Sequence, residues 1–107
     1  MNVYTIYADV KEGVNPKKFV MNMKRFLNAL PTMHKYRITR MKLGFRSMNL
    51  PEFRIDMEFH TMQDLDDAMT NVLRNDDNID THHVSFNSLV DGETIQHFLY
   101  RDYPDEV

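Results

Sequence analysis

The sequence predicts an α+β domain in which four strands and two helices follow one another as β-α-β-β-α-β, forming a four-stranded antiparallel sheet with both helices on one face. Three observations lead there. Residues 53–60, FRIDMEFH, alternate Phe53, Ile55, Met57 and Phe59 with Arg54, Asp56, Glu58 and His60, and a strand sends alternate side chains to opposite faces, so one face is core. Two stretches, 16–30 and 62–73, repeat apolar residues at helical period. Finally, 107 residues with 42% hydrophobic content fit one domain around one core, small enough that an oligomer would add useful burial.

Residues 3–10, VYTIYADV, are β-branched and aromatic and bounded by Lys11, Glu12 and Gly13, which predicts the first strand. Asn15 and Pro16 then read as a helix cap and a first-turn proline. Phe19, Val20, Met23, Phe26, Leu27 and Leu30 make a single stripe, and Pro31 ends it. From His34 to Phe45 the strand signal changes phase. Tyr36 and Ile38 share one parity and Met41, Leu43 and Phe45 the other, so a β-bulge is expected near Thr39 or Arg40. A connection over 46–52 leads to the third strand at Phe53. Thr61 with Asp64 opens a second helix in the manner of a capping box, and Met62, Leu65, Met69, Val72 and Leu73 form its stripe. The fourth strand is expected from about His82 to Val90. Residues 1–90 are then the domain, and 91–107 a C-terminal tail. Its Ile95, Phe98, Leu99, Tyr100 and Tyr103 are too apolar for a solvated end, so the tail is expected to pack on its own or a partner subunit.

This order is the split βαβ of the ferredoxin-like group, and right-handed crossovers give it the spatial strand order 4-1-3-2. That order matters for charge. Residues 1–54 hold eleven Lys/Arg against three Asp/Glu, whereas 55–107 hold two against thirteen. Interleaving the strands brings Asp56 and Glu58 beside Arg37, Arg40 and Lys42, where cross-strand pairs contribute roughly 0.2–1 kcal/mol each. The helices likewise set Lys17, Lys18, Lys24 and Arg25 against Asp64, Asp66 and Asp67. Tyr4 and Tyr7 have opposite parity, so one of them points away from the helices. An aromatic there argues that the open face is covered.

Several function classes are disfavoured. A net charge of −3 does not suit a protein that neutralises phosphates, and FRIDMEFH turns carboxylates outward where an RNA-recognition strand displays rings; no nucleic-acid partner is expected. The absence of cysteine excludes disulfide scaffolds, thiolate metal sites and thiol nucleophiles. No eighteen apolar residues run together and the start lacks a signal-like pattern, so no membrane partner is expected and a cytoplasmic location is the default. Gly13, Gly44 and Gly92 form no phosphate-binding loop, and Ser47, Ser85 and Ser88 sit in no nucleophile motif.

In element order, length and patterning over residues 1–90, the chain resembles the dimeric α/β-barrel superfamily of small ferredoxin-like proteins, in particular its uncharacterised members. The resemblance implies a homodimer closed sheet to sheet, no required cofactor, and a small-molecule pocket, where one exists, between sheet and helices. Two functional readings stay open: a small-molecule-binding or structural protein of unknown function, and a cofactor-independent monooxygenase-like or isomerase-like enzyme. For the enzyme, Tyr4, Tyr7, Tyr36, Phe53, Phe86 and Asn87 are available as pocket lining, with Met23, Met41, Met57 and Met69 as adaptable walls; the same residues are equally read as core. Haem members of the superfamily use a helical histidine, and neither helix predicted here contains one.

The chemistry-bearing candidates come from parity and from the ends of elements. Asp56 and Glu58, with α-carbons about 7 Å apart on one face, are candidates for a general acid and base beside His60; the competing reading makes them partners of Arg37, Arg40 and Arg54. His82 and His83 leave a strand on opposite faces and cannot share an ion. His34, His60 and His97 could gather at one end of the sheet, a donor set suited to zinc, although parity puts His34 and His60 on different faces. The basic stripe of the first helix could meet an anion, a solvated face being the commoner state.

Overall fold

The computed structural model describes residues 1–42, 50–73 and 88–104. Its elements are β1 (Asn2–Val10), α1 (Pro16–Ala29), β2 (Lys35–Arg40), β3 (Phe53–Phe59), α2 (Met62–Leu73) and β4 (Val90–Arg101). The sheet runs β2-β3-β1-β4, antiparallel throughout, which is the expected order read from the other edge.

The caps form as their residue types dictate. Asn15 accepts a hydrogen bond from the Lys17 backbone N–H at 3.0 Å, with Pro16 in the first turn, and Thr61 Oγ1 accepts one from the Asp64 N–H at 3.0 Å. Between α1 and β2, Thr32 adopts φ 64°, a conformation that crowds a β-branched side chain. Its hydroxyl donates to the Asp64 carbonyl at 2.6 Å, which ties that turn to the start of α2.

The alternation of β3 organises the core. Phe53, Ile55, Met57 and Phe59 are all buried, and they pack in one cluster with Phe19, Met23, Phe26 and Leu27 of α1 and Leu65 and Ala68 of α2. Both helices therefore cover the same face.

Three expectations need correction. The fourth strand among the described residues is Val90–Arg101, pairing with β1 from Val10↔Val90 to Asn2↔Arg101; of the expected span 82–90, only Val90 belongs to it and residues 82–87 lie outside the described residues. What reads as a tail after residue 90 is thus the edge strand of the sheet. Its apolar residues do not alternate cleanly because an edge strand buries neither face fully, so period two is blurred. No bulge occurs at Thr39 or Arg40, since β2 pairs with β3 without a shift from Lys35↔Glu58 to Arg40↔Phe53; Leu43 and Phe45, which suggested it, lie outside the described residues. The irregularity falls instead in the β1–β4 ladder between Tyr7 and Asp9. There the Asp9 N–H, left free by the broken ladder, donates to Thr94 Oγ1 at 2.9 Å, and Asp9 Oδ1 accepts the Glu52 N–H at 2.7 Å on the β3 side.

Ile55 is fully buried beneath the helices. Ile55→Ala is expected to lower the unfolding free energy by about 2–5 kcal/mol in urea titrations; a loss below about 1 kcal/mol would show that the core closes around the gap.

Candidate functional site

Strand parity also decides what the open face of the sheet displays. Val3, Thr5 and Tyr7 of β1 lie beside Glu58, Asp56 and Arg54 of β3, with Lys35, Arg37 and Thr39 of β2 on their other side. Beyond β1 come Tyr100, Phe98 and Gln96 of β4. The face therefore has a charged half over β2 and β3 and an aromatic half over β1 and β4.

The charged half is internally paired. Asp56 accepts the fully buried Thr5 hydroxyl at 2.6 Å and the Arg54 Nε–H at 3.0 and 3.2 Å. Lys35 Nζ stands 3.5 Å from Glu58. Arg54 also lies over the Tyr7 ring, 5.7 Å from its centre. Desolvation works against its charge, but the hydrogen bond and charge of Asp56, with Tyr7 and Tyr100 adding, outweigh it and hold the guanidinium above its ordinary value. Of the three arginines that the structural reading named, only Arg54 pairs with Asp56, along its own strand, and the partner of Glu58 is Lys35. Arg37 faces Asp56 in register but makes no ion pair among the described residues. Arg40 falls on the helix side, where it pairs with Glu52 and stacks over Phe53. On the aromatic half, Tyr7 meets Phe98 edge-on at 5.9 Å and Phe98 meets Tyr100 at 6.2 Å. Tyr7 is buried, whereas Phe98 is 40% and Tyr100 50% exposed.

The helix side holds a second polar pair that sequence reasoning missed. Tyr4 Oη and His97 Nδ1 are 2.7 Å apart across β1 and β4. Burial pushes the Tyr4 phenol up from its ordinary value of 10.0. Nothing local signals this contact, because His97 reads as tail until β4 is placed.

The remaining candidates separate. Tyr4 and Tyr36 lie on the helix side, on opposite flanks of Met57, while Tyr7 lies on the open side. The sheet therefore separates Tyr7 from the other two, and Phe86 and Asn87 lie outside the described residues. His34 and His60 do meet, ring centres 4.3 Å apart, because His60 has left the strand and parity no longer governs it. His97 sits midway along the edge strand β4, opposite Ile6, so the three histidines do not gather. Among the described residues, no three His, Cys, Asp or Glu side chains cluster to hold a metal, and no helix is long and apolar enough to cross a membrane. At the opposite corner, α1 and the β2 edge border an open groove of about 530 Å³ floored by Val20, Ile38 and Phe53 and flanked by Lys17, Lys24 and Arg40.

Because the Tyr4 pKa in the folded chain lies above its unfolded value of 10.0, the native state holds that proton more tightly. Its contribution to stability is complete below about pH 10 and is lost as pH rises through the folded value. Tyr4→Phe is expected to flatten the alkaline decline in urea titrations above about pH 10; an undiminished slope would assign that decline to other groups.

Comparison with solved structures places this architecture among known ones. The chain resembles a dabb family protein with a ferredoxin-like fold from Mesorhizobium loti (TM-score 0.67, 16% identity, covering 94% of this chain and 95% of that one). It also resembles a dimeric ferredoxin-like protein of unknown function from Jannaschia sp. CCS1 (0.69, 8% identity, 94% and 98%). A third similar structure is the hydroxynitrile lyase of Passiflora edulis (0.69, 12% identity, 99% and 96%). At these identities the likeness is one of fold. No curated protein matches the chain. Over residues 1–107 it matches the family described as "Family of unknown function (DUF6614)".

Proposed function

Because the chain belongs to this family, whose function is unknown, we propose its role from its own geometry: two copies pack open face to open face as a dimeric α/β barrel, and the homodimer is a small-molecule-binding or structural module. The observation that carries the reading is the row Tyr7, Phe98 and Tyr100, two of whose rings stand 40% and 50% exposed on one side of a sheet. Aromatic groups are what interface cores enrich. The charged half suits the same fate, since Arg54 with Asp56 and Lys35 with Glu58 enter the contact already paired, which limits the cost of desolvating them. Arg37 is left as the surplus cation to meet a partner acceptor. The Jannaschia protein of similar fold is described as dimeric, which supports a dimer without specifying its contact face. The carboxylates on the open face disfavour nucleic acid as a partner.

Replacing Phe98 and Tyr100 together by Glu is expected to convert the dimer to monomer in sedimentation analysis, with circular dichroism unchanged. Leu99→Glu, also exposed but on the helix side of β4, is the control that keeps the dimer. A monomeric wild-type chain, or a double variant that stays dimeric, rejects the reading.

One observation favours a second reading, a cofactor-independent acid–base enzyme. The Tyr4–His97 pair joins a phenol to an imidazole at hydrogen-bond distance, an arrangement that can take a proton from a hydroxyl and pass it on. The hydroxynitrile lyase of similar fold suggests the probe: mandelonitrile. On this reading benzaldehyde is released by the wild type and release is lost in both Tyr4→Phe and His97→Ala; no release above buffer rejects lyase chemistry of that kind.

A further inference from the structure

We infer that the groove between α1 and β2 is a binding site for an amphipathic carboxylate, an apolar body bearing one anionic head. The inference deepens the small-molecule half of the proposed function and is separate from the dimer, since the groove lies on the helix side and the proposed contact on the open side.

The helix makes the site by its period. Lys17, Val20, Met21 and Lys24 stand at i, i+3, i+4 and i+7, so they share one face of α1. This face is not the one that enters the core, where Phe19, Met23, Phe26 and Leu27 are buried. It looks instead across to Ile38, Arg40 and Phe53 at the β2 side of the sheet, and the space between measures about 530 Å³, within the range of small-molecule pockets. The floor is apolar, and Met21 at its lip is 55% exposed.

Charge selects the occupant. Of the flanking cations, Arg40 is already held by Glu52 and stacked over Phe53. Lys17 and Lys24 have no carboxylate partner among the described residues, and none of the described lining residues is acidic. Two unneutralised ammonium groups therefore bracket an apolar trough. Both ammonium groups are exposed and hydrated, so a neutral guest gains nothing from them, and a cationic one would be repelled. A carboxylate head between the lysines, with its hydrocarbon along Val20, Ile38 and Phe53, answers both features through charge-assisted hydrogen bonds and apolar burial. A fatty-acid chain and an aromatic acid share this chemistry.

The test is nuclear magnetic resonance titration of the full chain with decanoate, a flexible carboxylate, and 2-naphthoate, a planar one, with decanol as the neutral control. Saturable shifts centred on the amides of Val20, Met21 and Ile38 are expected for at least one acid, and the stronger of the two identifies the shape of the apolar body. Lys17→Gln with Lys24→Gln, both surface changes that leave the core untouched, is expected to weaken that acid about tenfold or more and to leave the dimer as it is. Decanol binding as tightly as decanoate, or a double variant of unchanged affinity, overturns the site. Saturable shifts centred elsewhere would reject this groove while sparing the small-molecule reading; no shift with either acid would reject the groove, and the dimer would still be judged by sedimentation alone.

Discussion

The alternation of β3 is the constraint on which the rest of this molecule depends. Seven residues, Phe53–Phe59, hand four bulky side chains to the helices and leave three ionisable ones facing away. Since the period of a strand is two, a slip of one residue would exchange the sets and put Arg54, Asp56 and Glu58 beneath α1 and α2. The cost of burying those charges unpaired far exceeds what any single contact contributes. The register of β1 and β2 against β3 is therefore pinned by the core, and everything on the open face inherits its position from that register.

On that face the chemistry divides by strand. Thr5, Asp56 and Arg54 form a chain of hydrogen bonds across β1 and β3, and the Thr5 hydroxyl, fully buried, is satisfied only because Asp56 stands in register beside it. The ion pairs with Lys35 and Arg54 are partly exposed, and such pairs contribute about 0–1 kcal/mol at best. Their consequence is electrical neutrality more than strength. A pair neutralised within one subunit can be covered by another subunit or by nothing, whereas the exposed rings of Phe98 and Tyr100 have something to gain from being covered. The helix side shows the opposite balance, with a packed centre and two peripheral features, the Tyr4–His97 contact and the α1–β2 groove, where polar or charged groups meet incomplete burial.

Much of this architecture could be read from residue order. The β3 alternation, the α1 stripe, the Asn15 and Thr61 caps and the strand order all stand as expected, because each rests on side-chain direction within a few consecutive residues. That one of Tyr4 and Tyr7 leaves the helix side follows from the same rule. The errors lie where local pattern weakens. The Val90–Arg101 edge strand carries apolar groups on both faces, so it reads as an apolar tail. The phase change after Ile38 reads as a bulge, although the described part of β2 pairs without one. With no bulge before it, Arg40 turns to the helix side, over Phe53 and away from Asp56 and Glu58.

Residue order fixes which side chains share a face, which residues start the helices and which charges are available, since these follow from backbone period and capping chemistry. The partners come from the folded chain: Asp56 with Thr5, fifty-one positions away, Tyr4 with His97, ninety-three away, and α1 with the β2 edge. The physical reason is register. A strand's period says that two groups point the same way, but only its alignment with a neighbour far along the chain says that they touch, and that alignment is set by how the whole core fills.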